Sequence, residues 1–272
     1  MGLITNILHG IRKNLNWQGS QSRFTPIPWF TGKIIKHEDD TNLKLRKLGP
    51  VSVLYKRPYE LLKTYNEIFV CEIYRFETSN PNPVIIDCGA NIGISSLYFK
   101  TIYPNATLIA FEPDESLANI FQKNMQQNGV DHFTLHKAAV WTENGTISFN
   151  NMGSEASSID VSGNSNTTVP TLQLASILAE HPTIDLLKID IEGAEYPVIQ
   201  DCVSELYKVQ HLFIEYHGLA TETYKLETIL RIVSEAGFKC YIKMAADNLD
   251  MPFYQKQTGT IYDVQLNIFC YR

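Results

Sequence analysis

Two groups of residues in this sequence have types and spacing that could do chemistry. The first is VIIDCGANIG, residues 84–93, with TLIAFEP, residues 107–113. An apolar strand ending at Asp87 runs into a turn holding Gly89, Ala90, Asn91 and Gly93, and a helix follows. Glycines let a backbone turn sharply and come close to a ligand. A helix N-terminus points unused N–H groups at the same place. The next strand ends at Glu112, about twenty residues after the glycines, the spacing of an acid that holds a ribose diol. A carboxylate accepts hydrogen bonds from both hydroxyls. Either signal alone is weak, since glycine turns and strand-end acids are common. Together they point to an adenosine-containing ligand. The dinucleotide fingerprint G-x-G-x-x-G needs a glycine where Asn91 stands, so that pyrophosphate can approach the backbone. Asn91 therefore disfavours NAD and suits a ligand without phosphate, such as S-adenosylmethionine. Asp87 is the candidate acid for the ammonium of that ligand, directly or through water.

The second group is KIDIEGAE, residues 188–195, with LFIEYHG, residues 212–218. Asp190 ends a strand and Glu192 follows in a turn. Glu215 and His217 are two apart, so they share a side of an extended strand. If the two strands are neighbours, Asp190, Glu192, Glu215 and His217 converge. Such a cluster can act as a general base, with His217 preferred because its reference pKa is nearest neutrality. It can also hold a divalent metal. The base is preferred and no metal is expected, because no ligand spacing is diagnostic. In the plain structural alternative, Glu215 and His217 cap strand ends. Glu195 opens a helix, where an acid complements the dipole, and is given only that role.

These residues need a scaffold, and from residue 84 the pattern alternates between strands and helices. Strands are expected over 84–87, 107–111, 133–136, 185–190, 211–215, 238–243 and 264–271, and helices over 94–102, 115–128, 194–206 and 223–236. Strands interleaved with helices imply a mostly parallel sheet covered on both faces. The last two strands have no helix between them and suit an antiparallel pair at one edge. Residues 139–141 and 146–149 read as a hairpin, and the polar stretch 150–168 as a surface loop. The break at Ser79–Pro83 divides an N-terminal α+β extension, residues 1–80, from a ligand-binding domain, residues 81–272. The extension shows an amphipathic helix on Leu3, Ile4, Ile7, Leu8, Ile11 and Leu15, read as packing on its own domain. A Pro- and aromatic-rich loop (24–30), a strand (51–55) and a helical stretch (61–73) follow.

Composition narrows the classes. Hydrophobic residues make up 44% of the 272 residues, enough for a real core. The net charge is −6 with no basic stripe, which argues against nucleic acid as a partner. No apolar run approaches the roughly 20 residues of a transmembrane helix. The five cysteines are scattered and form no CxxC pair, so they read as reduced and mostly buried, in keeping with a cytoplasmic protein. The oligomeric state, a homo-oligomer included, stays open.

VIIDCGANIG, IAFEPDE and LLKIDIEGAE together resemble the FkbM-type methyltransferases, and the likeness extends through VPTLQLASIL (169–178) and IEYHG (214–218). The resemblance implies a Rossmann-like α/β fold of the class I methyltransferases, seven-stranded with the last strand antiparallel, and S-adenosylmethionine as cofactor. It implies that Asp87, Gly89, Asn91 and Gly93 form the cofactor loop and that Glu112 binds the ribose. Ala138 and Ala139 would lie beside the adenine, and Asp190 near the methyl group; Glu215 and His217 stand as further catalytic candidates on their own spacing. It implies a small-molecule or glycan acceptor, usually methylated on a hydroxyl oxygen. The alternatives are an NAD-dependent oxidoreductase and a non-catalytic module that binds S-adenosylmethionine.

Overall fold

The structure, a computed structural model, describes residues 22–150, 158–159, 167–247, 251–254 and 261–272. The expected helix at residues 3–15 lies outside them, as does most of the expected loop 150–168. The chain divides into two units, Met1–Arg75 and Phe76–Arg272.

In the first unit, helix α1 (Trp29–Lys36) begins straight after Pro28, where the loop was expected to run to Phe30. Strands β1 (Lys44–Leu48) and β2 (Val51–Tyr55) pair antiparallel across a turn in which Gly49 takes φ +53°. Val51, Val53 and Tyr55 alternate inward, as the spacing predicts. Helix α2 (Pro58–Tyr65) continues into a π-helical turn, Asn66–Val70, and Leu61, Tyr65, Ile68 and Phe69 are buried.

The second unit holds β3 (Val84–Cys88), α3 (Ile94–Ile102), β4 (Thr107–Phe111), α4 (Glu115–Gln127), β5 (Thr134–His136), β6 (Ala139–Trp141), β7 (Gly145–Asn150), β8 (Ser158–Ile159), β9 (Thr168–Gln173) and α5 (Leu174–Ala179). It continues through β10 (Ile184–Ile189), α6 (Glu195–Asp201), β11 (Val209–Gly218), α7 (Thr223–Glu235), β12 (Lys239–Ala246) and β13 (Val264–Tyr271). Seven strands form one sheet in the order β12-β13-β11-β10-β3-β4-β5. β3, β4, β5, β10 and β11 pair parallel, and β13 runs antiparallel between β11 and the edge strand β12. This is the Rossmann-like class I methyltransferase arrangement.

Every residue of β10 is buried, which requires cover on both faces. On one face Ile86, Cys88, Leu187, Ile189 and Ile214 pack with Leu178 of α5, Val198 of α6 and Val233 of α7. On the other, Asp87 meets α3. At the entry to the sheet, Asp185 accepts hydrogen bonds from Thr78 Oγ1, Asn80 Nδ2 and Val84 N, which fixes the Pro-rich break against β10. Asp114 caps α4, accepting from Ser116 N and Leu117 N at 2.7 and 3.1 Å.

Three expectations change. Residues 139–141 and 146–149 do not form a hairpin, because β9 lies between β6 and β7, parallel to the first and antiparallel to the second. Helix α6 ends at Asp201, and Val203 and Ser204, poor helix formers, fall in the turn that follows. Strand β11 runs on to Gly218, so Glu215 and His217 lie inside it, opposite Asn267 and Gln265 of β13. All five cysteines are free; Cys88, Cys202 and Cys270 are buried, and Cys71 and Cys240 are exposed. Among the described residues, no helix is long and apolar enough to cross a membrane.

Candidate active site

The glycine turn joins β3 to α3, and its own backbone hydrogen bonds define it. Gly89 N and Ala90 N both donate to Phe111 O, at 3.1 and 2.9 Å, and Gly93 N donates to Ala90 O at 2.9 Å. Asn91 N donates to Glu112 Oε2 at 2.8 Å. Ile92 N donates to the side chain of Asn91 at 2.6 Å, with Asn91 itself at φ +50°. Every N–H from 89 to 93 is thus engaged within the protein. The glycine at 89 answers to the protein as well. Its φ is +83°, and a Cβ there would come within 1.8 Å of Asp190 O. The sequence suggests a close approach to ligand; the structure finds a close approach to the end of β10.

Glu112, buried at the end of β4, is the other half of this loop. Its Oε1 accepts from Asp114 N at 2.8 Å while Oε2 holds Asn91 N. Its own N–H donates to His136 O at the end of β5, just before Ala138 and Ala139, which are both buried. Burial pushes the Glu112 carboxyl up to about 7, against the two backbone donors, which favour the ionised form. A carboxyl raised on folding stabilises the protein fully below the unfolded value near 4.5, and that contribution is lost as pH rises through about 7. In urea unfolding between pH 5 and 8, wild type should therefore lose stability relative to Glu112→Gln as pH rises. Parallel curves would show that burial does not hold the proton on Glu112.

Asp87 does not present its carboxylate to the crevice. It is 0% exposed, with Oδ2 accepting from Ser95 Oγ at 2.6 Å and Ser96 Oγ at 2.8 Å. Its Oδ1 lies 3.2 Å from Lys188 Nζ. Asp87 was expected to reach a ligand ammonium directly or through water; its burial closes the direct route and makes the carboxylate an anchor that ties α3 to the sheet. Lys188, which the sequence reading passed over, sits opposite Asp87 in the β10–β3 register. Its side chain is 3% exposed; Nζ pairs with Asp190 Oδ2 at 3.4 Å and donates to Gly89 O at 3.0 Å. The signal was available, since a lysine in an apolar strand buried on both faces needs a partner.

Asp190, Glu192, Glu215 and His217 converge, because β10 and β11 are neighbours. His217 Nε2 lies 3.5 Å from Glu192 Oε2 and 3.8 Å from Glu215 Oε1. Its Nδ1 lies 3.1 Å from Glu195 Oε1. Glu195 therefore does more than complement a helix dipole. It is fully buried, accepts from Ile191 N and Gly193 N, and so holds the 191–193 turn against the imidazole. Tyr262, which no sequence signal marks, donates to Glu192 O at 2.6 Å, and its ring lies 5.1 Å from that of His217. Burial raises the Glu192 carboxyl, helped by Asp190, Glu195 and Glu215 and opposed by His217. Burial alone would lower His217, but Glu195, by charge and hydrogen bond, then Glu192 and Asp190, carry it upward. The carboxylates around His217 outnumber the cations beside them, which favours the protonated form of the imidazole and of Glu192. The preference for His217 as base rested on a pKa near neutrality, and these neighbours favour its protonated form instead.

The topology and this crevice at the C-terminal ends of β3, β4, β10 and β11 define the class I methyltransferase fold. Residues 87–240 match the family model of the methyltransferase FkbM domain, and the chain belongs to that family. It is 28% identical over 161 residues to methyltransferase 1 of Beauveria bassiana, covering 50% of this chain and 65% of that protein. It is 28% identical over 199 residues to the 2-O-methyltransferase NoeI of Sinorhizobium fredii, covering 65% of this chain and 78% of that protein. A crystal structure of methyltransferase FkbM from Methylobacillus flagellatus is 15% identical with a TM-score of 0.49, covering 76% of this chain and 48% of the other. The chain thus spans just under two thirds of the first relative.

Proposed function

We propose that this chain transfers a methyl group from S-adenosylmethionine to a hydroxyl oxygen of a sugar or natural product. The observation that carries the reading is the glycine turn, whose N–H groups from 89 to 93 are all spent inside the protein beside a buried carboxylate. A pyrophosphate needs free backbone donors at such a turn, so the loop suits an adenosine ligand without phosphate. Glu112 fits a ribose. Two of its acceptor sites hold backbone N–H groups, and a carboxylate has about four. Gly89, Asn91 and Gly93 would shape the cofactor cradle, and Ala138 and Ala139 would flank the adenine. Asp87 would act through Lys188 and the α3 serines.

The cofactor supplies a methyl group already activated on a sulfonium. The chain has to align the acceptor oxygen, exclude water and take the hydroxyl proton. Asp190, Glu192 and Glu215 are the partly open carboxylates of the cluster, and the proton passes to Glu215. His217, buried behind, orients them. The name of the Sinorhizobium relative supports oxygen as the accepting atom.

Calorimetric titration with S-adenosylmethionine and S-adenosylhomocysteine tests the reading. One-to-one binding is expected, weakened at least tenfold, about 1.4 kcal/mol, in Glu112→Ala. No heat with either compound overturns it. Saturable binding in an NADH fluorescence titration would favour the oxidoreductase instead. Cofactor binding with no turnover on any sugar or phenolic acceptor would favour the non-catalytic module.

A further inference from the structure

We propose that Asp190, Glu192 and His217 form a binding site for one divalent cation of the Mn²⁺ class. One ligand atom from each of the three lies within 4.8 Å of the others, and the Nε2–Oε2 pair is already at 3.5 Å. Ligands about 2.1 Å from a shared ion sit roughly 3–4 Å apart, so side-chain rotation alone closes the site. Asp190 has a carboxylate oxygen to spare, since Oδ2 is the one paired with Lys188.

The imidazole is set for this task from behind. His217 is 1% exposed at its side chain, with Nδ1 held by the fully buried Glu195 and Nε2 aimed at the carboxylates. Metal-binding histidines are oriented by such a carboxylate, which keeps the proton on Nδ1, and the ion takes the place of the Nε2 proton, which is released to solvent. The front of the site is open: the side chains of Asp190 and Glu192 are 25% and 20% exposed. An ion there keeps coordination positions for water or acceptor. Charge favours it too. Asp87, Asp190, Glu192, Glu195 and Glu215 converge on Lys188 and His217. One imidazole with two carboxylates suits Mn²⁺, Fe²⁺ or Zn²⁺ better than Mg²⁺ or Ca²⁺. The role in catalysis rests on the methyltransferase reading. An ion held there would make an acceptor hydroxyl more acidic, and Glu215, which is not one of the three ligands, would take its proton.

The test uses the full chain, stripped with EDTA and dialysed, and titrated with MnCl₂ while electron paramagnetic resonance counts free Mn²⁺. Expected is saturable binding of one Mn²⁺ per chain. Glu192→Gln and Asp190→Asn should each weaken it at least tenfold, while Glu235→Gln on the surface of α7 leaves it unchanged. His217→Ala should abolish it; should that variant fail to fold by circular dichroism, the two carboxylate variants decide. Absence of saturable binding below about 1 mM, or equal affinity in both carboxylate variants, overturns the proposal. Cofactor titration of the same protein is read separately, so failure to bind S-adenosylmethionine counts against the methyltransferase reading alone.

Discussion

Gly89→Ala is expected to lower stability by about 3–5 kcal/mol and to abolish cofactor binding. Two costs add at this position. The backbone holds φ +83°, where an L side chain is strained by about 1–2 kcal/mol. The new Cβ would also stand 1.8 Å from Asp190 O and 2.9 Å from Asp190 C, both backbone atoms. No rotamer relieves such a clash, so either the turn or the end of β10 must move. Asp190 N donates to Cys88 O at 3.1 Å, and Lys188 donates to Gly89 O, so the movement reaches both halves of the crevice. Gly129→Ala is the control. Its φ is +69°, but nothing lies within 4 Å of the added carbon. It should cost about 1 kcal/mol, after the small gain from a stiffer unfolded chain. Urea unfolding of both variants separates the two costs. A difference of less than about 1 kcal/mol between them would mean that the close approach of turn and strand does not exist in solution.

How far the sequence revealed this arrangement depends on which residues had local reasons for their positions. Ile94–Ile102 is helical over the expected span, and the sheet strands overlap their expected ranges, because apolar runs between Gly and Pro breaks are local signals. Strand β1 escaped because KLRKL reads as polar, and α5 because six residues are too few to show a helical period. The hairpin expectation failed for a different reason. The partner of β6 and β7 is β9, a distant segment, and pattern within 139–149 holds no information about it. The candidate site repeats the lesson. Spacing marked the glycine turn and Glu112, which the structure joins through Asn91 N. It could not say that Gly89 packs on Asp190, since that contact joins positions a hundred residues apart. It left open whether Asp87 would meet a ligand directly or through water, because the face of a strand turned to the crevice depends on what covers the other. It weighed His217 by a reference pKa, which ignores neighbours, and Glu195, which holds the ring from behind, had an adequate explanation as a helix-start acid.

Lys188→Met should cost about 3–5 kcal/mol, the penalty of stranding a buried charge. The substitution leaves Asp87, 0% exposed, with the hydroxyls of Ser95 and Ser96 but without the ammonium at 3.2 Å. Methionine fills similar volume, so the loss is electrostatic and not a cavity effect. That origin makes a specific demand on the double variant. Asp87→Asn removes the stranded charge, and replacing both partners of a buried pair is often near neutral. Asp87→Asn/Lys188→Met should therefore regain most of the lost stability, with a coupling of about 2 kcal/mol or more between the sites. Additive losses would sink the idea that the pair balances itself. Function should not follow stability. Nζ also donates to Gly89 O and pairs with Asp190 Oδ2, and neither contact returns in the double variant. Its affinity for S-adenosylmethionine by calorimetry should stay at least tenfold below wild type although the fold has recovered. A lysine needed only to neutralise Asp87 would give full recovery of both. The split between them would make Lys188 a positioning residue, joining the glycine turn to Asp190 at the end of β10.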